Sequence, residues 1–276
     1  MTTIAKHYES PPQFTDLAGN RTWITRGANF VVAVTEAIAG ATLERSDNED
    51  EYMVLLPAVG AVVTAGDVRM DVDANTLIIV PPGASSVSPK GRGCVVRIFT
   101  VRASDLAASA GNAAAYGHGD LEAAPLVYWP APAEGFRLRT YALDDYSRSD
   151  TNMRVFRSTN LMINVLLKRT VARDTSKLSP HSHADFEQCS LALSGTYVHH
   201  LRYPWATDMS TWRQDEHIQV GSPSVLVVPP KAIHTSMNVG DDTAWLVDIF
   251  SPPRMDFSSR PGLVCNADEY PMPSGD

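Results

Sequence analysis

The sequence predicts an all-β protein built from two copies of one β unit. Short runs rich in Val, Ile and Leu recur along the chain between Pro- and Gly-rich turns, a pattern typical of short strands. Helical periodicity is weak except in the Ala-rich stretch 103–116, where we expect a short helix. Several blocks of sequence occur twice, which indicates an internal duplication.

Three pairs of segments carry the duplication. The pairs are NEDEYMVLL at 48–56 with ADFEQCSLAL at 184–193, TLIIVPPG at 76–83 with SVLVVPPK at 224–231, and VRIFT at 96–100 with VDIFS at 247–251. The second copy is longer between its first two motifs, and we place the extra residues in a loop at 202–217 that covers a site. The predicted domains are an N-terminal unit at 1–110, a linker at 111–140 and a C-terminal unit at 141–276.

Composition and charge narrow the classes of protein. The 276 residues are 44% hydrophobic and 20% charged, which is enough apolar material for a packed core. The formal net charge of −8 and the lack of a basic run argue against nucleic-acid and membrane-surface partners. No apolar run is long enough to span a membrane or to act as an N-terminal leader. The three cysteines are widely spaced, and we expect them to be reduced. Together with the lack of a long apolar run, the cysteines predict a cytoplasmic protein.

Histidines are concentrated in the second unit, where six of the eight lie between His181 and His234. His181 and His183 are two positions apart, so on a strand their side chains point to the same side. Imidazole is a common ligand of divalent transition metals. The pair alone is equally consistent with hydrogen-bonded strand histidines, but His234, after a predicted turn at Pro229-Pro230, favours a metal site.

These residues resemble the two motifs of the cupin superfamily. The first motif is His-x-His, four residues, Glu or Gln, six residues and Gly; the second is Pro, His and Asn. The matching residues are His181, His183, Gln188 and Gly195 for the first motif, and Pro229, His234 and Asn238 for the second. The resemblance implies two double-stranded β-helix (jelly-roll) barrels in one chain. It also implies one divalent Fe, Mn, Ni or Zn ion in the second barrel, held by His181, His183, Gln188 and His234.

Two neighbouring residues compete for the place of the fourth ligand. Strict alternation from His183 places Glu187 on the inner face, whereas the cupin spacing selects Gln188, which requires a local bulge. We favour Gln188. The first unit carries other residues at the ligand positions, namely Arg45, Asp47, Tyr52 and Ser86. We therefore expect no metal in that unit, which acts as a scaffold.

The last strand of the second unit carries an acidic residue in an apolar run. Alternation places Asp248 on the same face as Phe250, where a buried carboxylate near the metal could serve as a general acid or base. Alternatively, Asp248 faces solvent or pairs with Arg97 or Arg254. The segment 247–257 resembles the end of small cupins that convert unsaturated uronates to linear keto acids. That resemblance implies that Asp248 moves a proton, Phe250 lines the site and Arg254 clamps a carboxylate.

These observations predict a metal-dependent enzyme that acts on a small oxygenated anion, with a sugar acid as one example. The expected chemistry is isomerisation, hydration or proton transfer. An Fe(II)-dependent dioxygenase is the first alternative, since histidine-rich sites with open positions also support O₂ chemistry. A non-catalytic small-molecule-binding protein is the second. The expected partners are a small-molecule substrate and a second copy of the chain in a homodimer.

Overall fold

The computed structural model describes residues 2–117 and 122–274, and within them the protein is almost entirely β. The strands are β1 (Thr3–Lys6), β2 (Phe14–Thr15), β3 (Arg21–Arg26), β4 (Phe30–Ala37), β5 (Leu43–Arg45), β6 (Tyr52–Leu56), β7 (Ala61–Ala65), β8 (Val68–Val72), β9 (Thr76–Val80), β10 (Ser85–Pro89), β11 (Gly93–Thr100), β12 (Arg139–Ala142), β13 (Val155–Arg157), β14 (Met162–Val165), β15 (Gln188–Ser194), β16 (Thr196–Arg202), β17 (Glu216–Val220), β18 (Ser224–Val228), β19 (Ile233–Val239) and β20 (Trp245–Phe250). The helices are α1 (Ser104–Ser109) and α2 (Met255–Ser258), with 3₁₀ turns at Ala113–Tyr116, Leu143–Tyr146, Thr175–Lys177 and Met209–Thr211.

The strands form two barrels, each made of a large and a small antiparallel sheet. The N-terminal barrel pairs a seven-stranded sheet, β12-β9-β6-β11-β4-β3-β2, with a four-stranded sheet, β5-β10-β7-β8. The C-terminal barrel pairs a six-stranded sheet, β1-β18-β15-β20-β14-β13, with a three-stranded sheet, β17-β16-β19. The predicted all-β fold of two related barrels is therefore confirmed.

The large sheets are apolar on both faces, and this places the two barrels back to back. Along β4, Val31 and Ala33 belong to the core inside the N-terminal barrel. Phe30, Val32 and Val34 alternate with them and pack in a second core, which joins the two large sheets. Because side chains alternate along a strand, a sheet buried on both faces needs a continuous apolar run rather than an alternating one.

Two edge strands cross between the barrels. β1, at the start of the chain, pairs with β18 of the C-terminal barrel, with Ile4 opposite Leu226. β12, which begins at the end of the predicted linker, pairs with β9 of the N-terminal barrel, with Tyr141 opposite Leu77. Each large sheet thus ends in a strand taken from elsewhere in the chain. β1 precedes the strands of the N-terminal barrel but joins the C-terminal sheet, and β12 precedes β13 to β20 but joins the N-terminal sheet. The sequence-based domain limits stay a prediction, and residues 118–121 of the linker lie outside the described residues.

Short local elements agree with the sequence pattern. The predicted helix at 103–116 appears as α1 followed by the 3₁₀ turn at Ala113–Tyr116. None of the described helices has the length and apolar character needed to cross a membrane.

Candidate metal centre

Three histidines converge at one end of the C-terminal barrel. One nitrogen from each of His181, His183 and His234 lies within 4.8 Å of the others. The backbones of His181 and His234 form an isolated antiparallel bridge, with N–H to O distances of 3.1 and 2.8 Å. His183 and His234 are buried and His181 is exposed, so the cluster opens to solvent on one side.

The turn that leads into β19 fixes His234. The backbone N–H of Lys231 donates to the carbonyl of His183 at 2.6 Å and ties the two histidine segments together. Lys231 has a φ of 66°, in the left-handed region that favours glycine. It occupies the position at which the first copy carries glycine, and Gly83 there has a φ of 104°. The backbone shape of this turn is thus shared by both barrels.

Gln188 supplies the fourth polar atom of the cluster. Its Oε1 lies 2.9 Å from His183 Nε2 and 3.3 Å from His234 Nε2. Glu187 points the other way, into the N-terminal half, and accepts from the Ala28 N–H at 2.6 Å. The expectation of strict alternation from His183 is wrong, because residues 182–187 are not in a strand and β15 begins only at Gln188.

The tautomer of His234 tests whether the cluster suits a metal. His234 Nδ1 lies 3.0 Å from the carbonyl of Ala232, which can only accept, so Nδ1 carries the hydrogen. Its Nε2 then presents a lone pair to the amide oxygen of Gln188. Two lone pairs at this distance repel unless a cation lies between them. His181 has the same arrangement, with Nδ1 3.0 Å from the carbonyl of Ser179, so these donors fit a divalent metal.

Burial keeps the two enclosed histidines of the cluster, His183 and His234, uncharged. It lowers the pKa of His183 to about 3 and that of His234 to about 4, so both imidazoles are neutral at physiological pH. Metal ligation requires this neutral form. Burial also raises the pKa of Asp248, although a hydrogen bond from Ser190 opposes the shift. A carboxyl with a raised pKa can exchange a proton more readily near neutral pH.

Asp248 faces the barrel interior, as the first of the two sequence alternatives requires. Its Oδ1 accepts from Ser190 Oγ at 2.8 Å and from Gln188 Nε2 at 3.1 Å. Gln188 therefore bridges the histidines and the carboxylate. Asp248 forms no hydrogen bond or ion pair with Arg97 or Arg254 among the described residues.

Arg254 and Phe250 also line the cavity. The Arg254 guanidinium lies 4.8 Å from the Phe250 ring centroid and 3.7 Å from that of Phe257. The guanidinium edge formed by Nε and Nη2 already donates two hydrogen bonds to the Asp256 carboxylate, with N to O distances of 3.0 and 2.7 Å. A substrate carboxylate must compete with Asp256 for this edge, so the predicted clamp role stays a prediction.

A cavity of about 350 Å³ holds these groups, and some of its lining residues have no counterpart in the sequence prediction. Arg169 and Arg173 lie at its wall, and Asn164 lies opposite Asp248 on β14. The buried Oδ1 of Asn164 has no hydrogen-bond partner among the described residues. A lone Asn in an apolar strand, "MINV", was the only signal in the sequence; nothing marked the two arginines.

The inserted loop after β16 is exposed. Trp205 and Trp212 stack on each other with ring centroids 4.4 Å apart, and Trp205 is 76% exposed. On the strands beside this loop, His199 is buried and bonds Ser236, whereas His200 pairs with His217 at 2.7 Å between their Nδ1 atoms. None of these residues belongs to the histidine cluster, and a covering role for the loop stays a prediction.

The N-terminal barrel carries different residues at the matching places. β6 and β11 pair in the same register as β15 and β20, which places Tyr52 at the position of Gln188 and Arg97 at that of Asp248. Arg45 pairs with Ser85 as His181 pairs with His234. The counterpart of His234 is therefore Ser85. Aligning the two Pro-Pro segments selects Ser86, which is one residue too far along the chain. The difference matters because a one-residue shift moves the side chain to the other face of the strand.

Neither a protein-family model nor a curated protein sequence matches this chain. Solved structures do resemble it. A Lactobacillus farciminis oxalate decarboxylase in complex with formate matches with a TM-score of 0.61 at 13% identity, over 91% of this chain and 86% of that chain. A Bacillus subtilis oxalate decarboxylase with Mn(II) centres gives 0.60 at 13% identity, over 94% and 81%. A cupin 2 conserved barrel domain protein from Leptotrichia buccalis gives 0.51 at 7%, over 90% and 96%.

At these identities the likeness concerns the fold. The neighbours include a protein described as a cupin barrel, and the match to each of the three covers at least 90% of this chain. The chain therefore has the cupin jelly-roll fold that the two sequence motifs predicted.

Proposed function

We propose that the C-terminal barrel binds one divalent metal ion through His181, His183, Gln188 and His234, and that the protein is a metal-dependent enzyme acting on a small oxygenated anion. One observation carries the proposal: the lone pair of His234 Nε2 faces the Gln188 oxygen at 3.3 Å, an arrangement that a cation would relieve.

The chemistry follows from what lies beside the ligands. A bound metal would polarise a substrate oxygen. Asp248, held by Ser190 and Gln188 at the cavity wall, moves a proton to or from a neighbouring substrate carbon or oxygen. The raised pKa of its buried carboxyl suits this task. Isomerisation, hydration or another proton transfer fits such a pair of groups.

The cavity wall supports an anionic substrate. Three arginines line the cavity, namely Arg169, Arg173 and Arg254. Arg173 uses part of its guanidinium to hold the Ser236 carbonyl at 2.8 Å, whereas Arg169 has no ion pair among the described residues. Two solved neighbours are described as oxalate decarboxylases, one of them with Mn(II) centres, which also supports small-anion chemistry at a metal.

Within this class we propose an unsaturated sugar acid as substrate. The proposal rests on the segment 247–257 and on the position of Asp248, Phe250 and Arg254 around the same cavity. In the corresponding reaction, proton transfer by Asp248 would accompany opening of the cyclic uronate to its linear keto form.

Metal analysis tests the site. We expect about one divalent metal per chain in the wild type and in the control His200→Ala/His217→Ala, which removes two histidines outside the cluster. The variant His181→Ala/His234→Ala should contain none. Equal metal content in all three proteins would exclude the site.

Turnover tests the chemistry, with unsaturated uronates and oxalate as probes. Asp248→Asn should keep its metal and lose about 10²- to 10⁴-fold in rate, the usual contribution of an acid–base group. Retained activity would exclude Asp248 as the proton carrier. Activity that requires iron and consumes O₂ would instead identify a dioxygenase.

A further inference from the structure

Arg97 is an almost fully buried arginine inside the barrel that lacks the metal motif, and its Nε has no hydrogen-bond partner among the described residues. It lies on β11 between Val96 and Ile98, which face the other barrel, so its own side chain points into the N-terminal barrel. The residue is only 7% exposed, and its Nε is fully enclosed. Among the described residues, no side chain or carbonyl accepts a hydrogen bond from the Arg97 guanidinium, and no carboxylate pairs with it.

The surroundings of Arg97 add more positive charge. The Phe99 ring lies beneath two guanidinium groups, that of Arg97 at 5.7 Å and that of Arg45 at 5.5 Å from the ring centroid. Arg45 is paired with Asp105, with N to O distances of 2.6 and 3.1 Å, but its Nε is also buried without a partner. The carboxylate of Asp105 therefore neutralises the charge of Arg45, and the charge of Arg97 has no counter-ion among the described residues.

The charge of the Arg97 guanidinium cannot be removed by deprotonation, because arginine stays protonated in proteins. Enclosing an ionised side chain without a counter-charge is unfavourable, so a group in this position favours a bound anion. The C-terminal barrel shows the contrast, since Asp248 occupies the matching place and both of its neighbours, Ser190 and Gln188, donate to it. Within residues 2–117 and 122–274, Arg97 has no such partner.

Solvent reaches one side of this group of residues. Arg45 and Ser85 border a cleft of about 280 Å³, which the exposed Glu44 also lines. Ser85 Oγ is 2.9 Å from the hydroxyl of Tyr52, and the Tyr52 ring stacks on Phe99 with centroids 4.6 Å apart. Ser85 and Tyr52 thus connect the cleft to the Phe99 ring, which both guanidinium groups contact.

We propose that the N-terminal barrel binds a small oxyanion, through a carboxylate or phosphate group, between Arg97 and Arg45 with Tyr52 or Ser85 as a further donor. Carboxylate and phosphate share the paired oxygens that match the planar guanidinium edge. This site is separate from the metal centre and does not depend on the proposed function.

The test uses the full chain in the His181→Ala/His234→Ala background, so that anions cannot be held by a metal. Thermal unfolding and calorimetric titration are measured with sodium acetate, sodium malonate and sodium phosphate, against sodium chloride at matched ionic strength. A ligand that binds only the folded state raises Tm with the logarithm of its concentration. The variants are Arg97→Met, Arg97→Lys and the control Arg69→Met, an exposed arginine of the same barrel.

We expect at least one oxyanion to raise Tm in the background protein and in Arg69→Met. Arg97→Met should bind it at least about tenfold more weakly, the loss expected for charged hydrogen bonds, and Arg97→Lys should lie between. Whether malonate, acetate or phosphate gives the effect identifies the class of anion. If no oxyanion raises Tm beyond the chloride control, or if Arg97→Met and Arg97→Lys respond as the background does, the site does not exist.

Discussion

The two barrels share a backbone plan but hold opposite charges at the same interior place. In the C-terminal barrel the place is taken by Asp248, next to Gln188. In the N-terminal barrel Arg97 takes it, next to Tyr52, which bonds Ser85. A duplicated fold can thus keep its strands and registers while a few inward side chains decide whether a cation or an anion is favoured.

The ends of the barrels differ less than their interiors. Glu51 and Glu187 lie at matching positions before β6 and β15, and each carboxylate crosses to the other half of the chain. Glu51 accepts from the Thr159 N–H at 3.2 Å and from the Tyr270 hydroxyl at 2.8 Å. Glu187 accepts from the N–H of Ala28. This reciprocal pair joins the two barrels, with one carboxylate contributed by each of them.

Removing a histidine should give the largest difference between the barrels. His234→Ala is expected to weaken metal binding by at least about 100-fold, because even outer partners of a metal ligand contribute about 10- to 100-fold. The matched change Ser85→Ala, in the other barrel, should leave metal content unchanged. Metal titration of the two variants measures this, and loss of metal in Ser85→Ala would contradict the assignment of one site per chain.

Glu51→Ala should lower the free energy of unfolding by about 3 kcal/mol, because it leaves the buried Thr159 N–H and Tyr270 hydroxyl without an acceptor. Glu187→Ala should cost a similar amount through Ala28 and Tyr116. Chemical denaturation measures both. A large cost for one and none for the other would show that the two contacts are not equivalent.

The pH dependence of the free energy of unfolding gives a second test of the contact made by Glu51. Burial raises the pKa of this carboxyl above its unfolded value, so protonation favours the folded state. Wild type should therefore gain stability relative to Glu51→Gln as the pH falls from 7 through the folded pKa of Glu51. Denaturation curves at several pH values measure the difference. A gain with rising pH would reverse the sign and exclude this account.

The smallest expected effect on stability concerns the turns that precede β10 and β19. Gly83→Ala places a side chain at a φ of 104°, which should cost about 1 kcal/mol. Lys231→Ala should change stability by less than about 0.5 kcal/mol, since Lys231 already has a side chain at a φ of 66°. Thermal unfolding of the two variants measures both, and equal costs would contradict the assigned backbone shapes.

Much of the fold could be predicted because its signals are local. Short β-branched runs, Pro-Pro turns and repeated segments were enough for two β barrels. Alternation around Asp248 correctly placed its side chain inside the barrel, since β20 is a regular strand. The same rule failed for Glu187, because the chain before β15 is irregular and alternation holds only within a strand.

The sequence by itself determined the β character, the duplication and the histidine motifs, since each depends on residue types at short spacings. Only the tertiary structure decided that Gln188 joins the histidines and that β1 and β12 exchange between barrels. It also decided that Arg97 is buried with an Nε that no other described residue contacts by a hydrogen bond. These features depend on contacts between segments far apart in the chain, and hydrogen-bond geometry and burial at such contacts are set by packing rather than by local pattern.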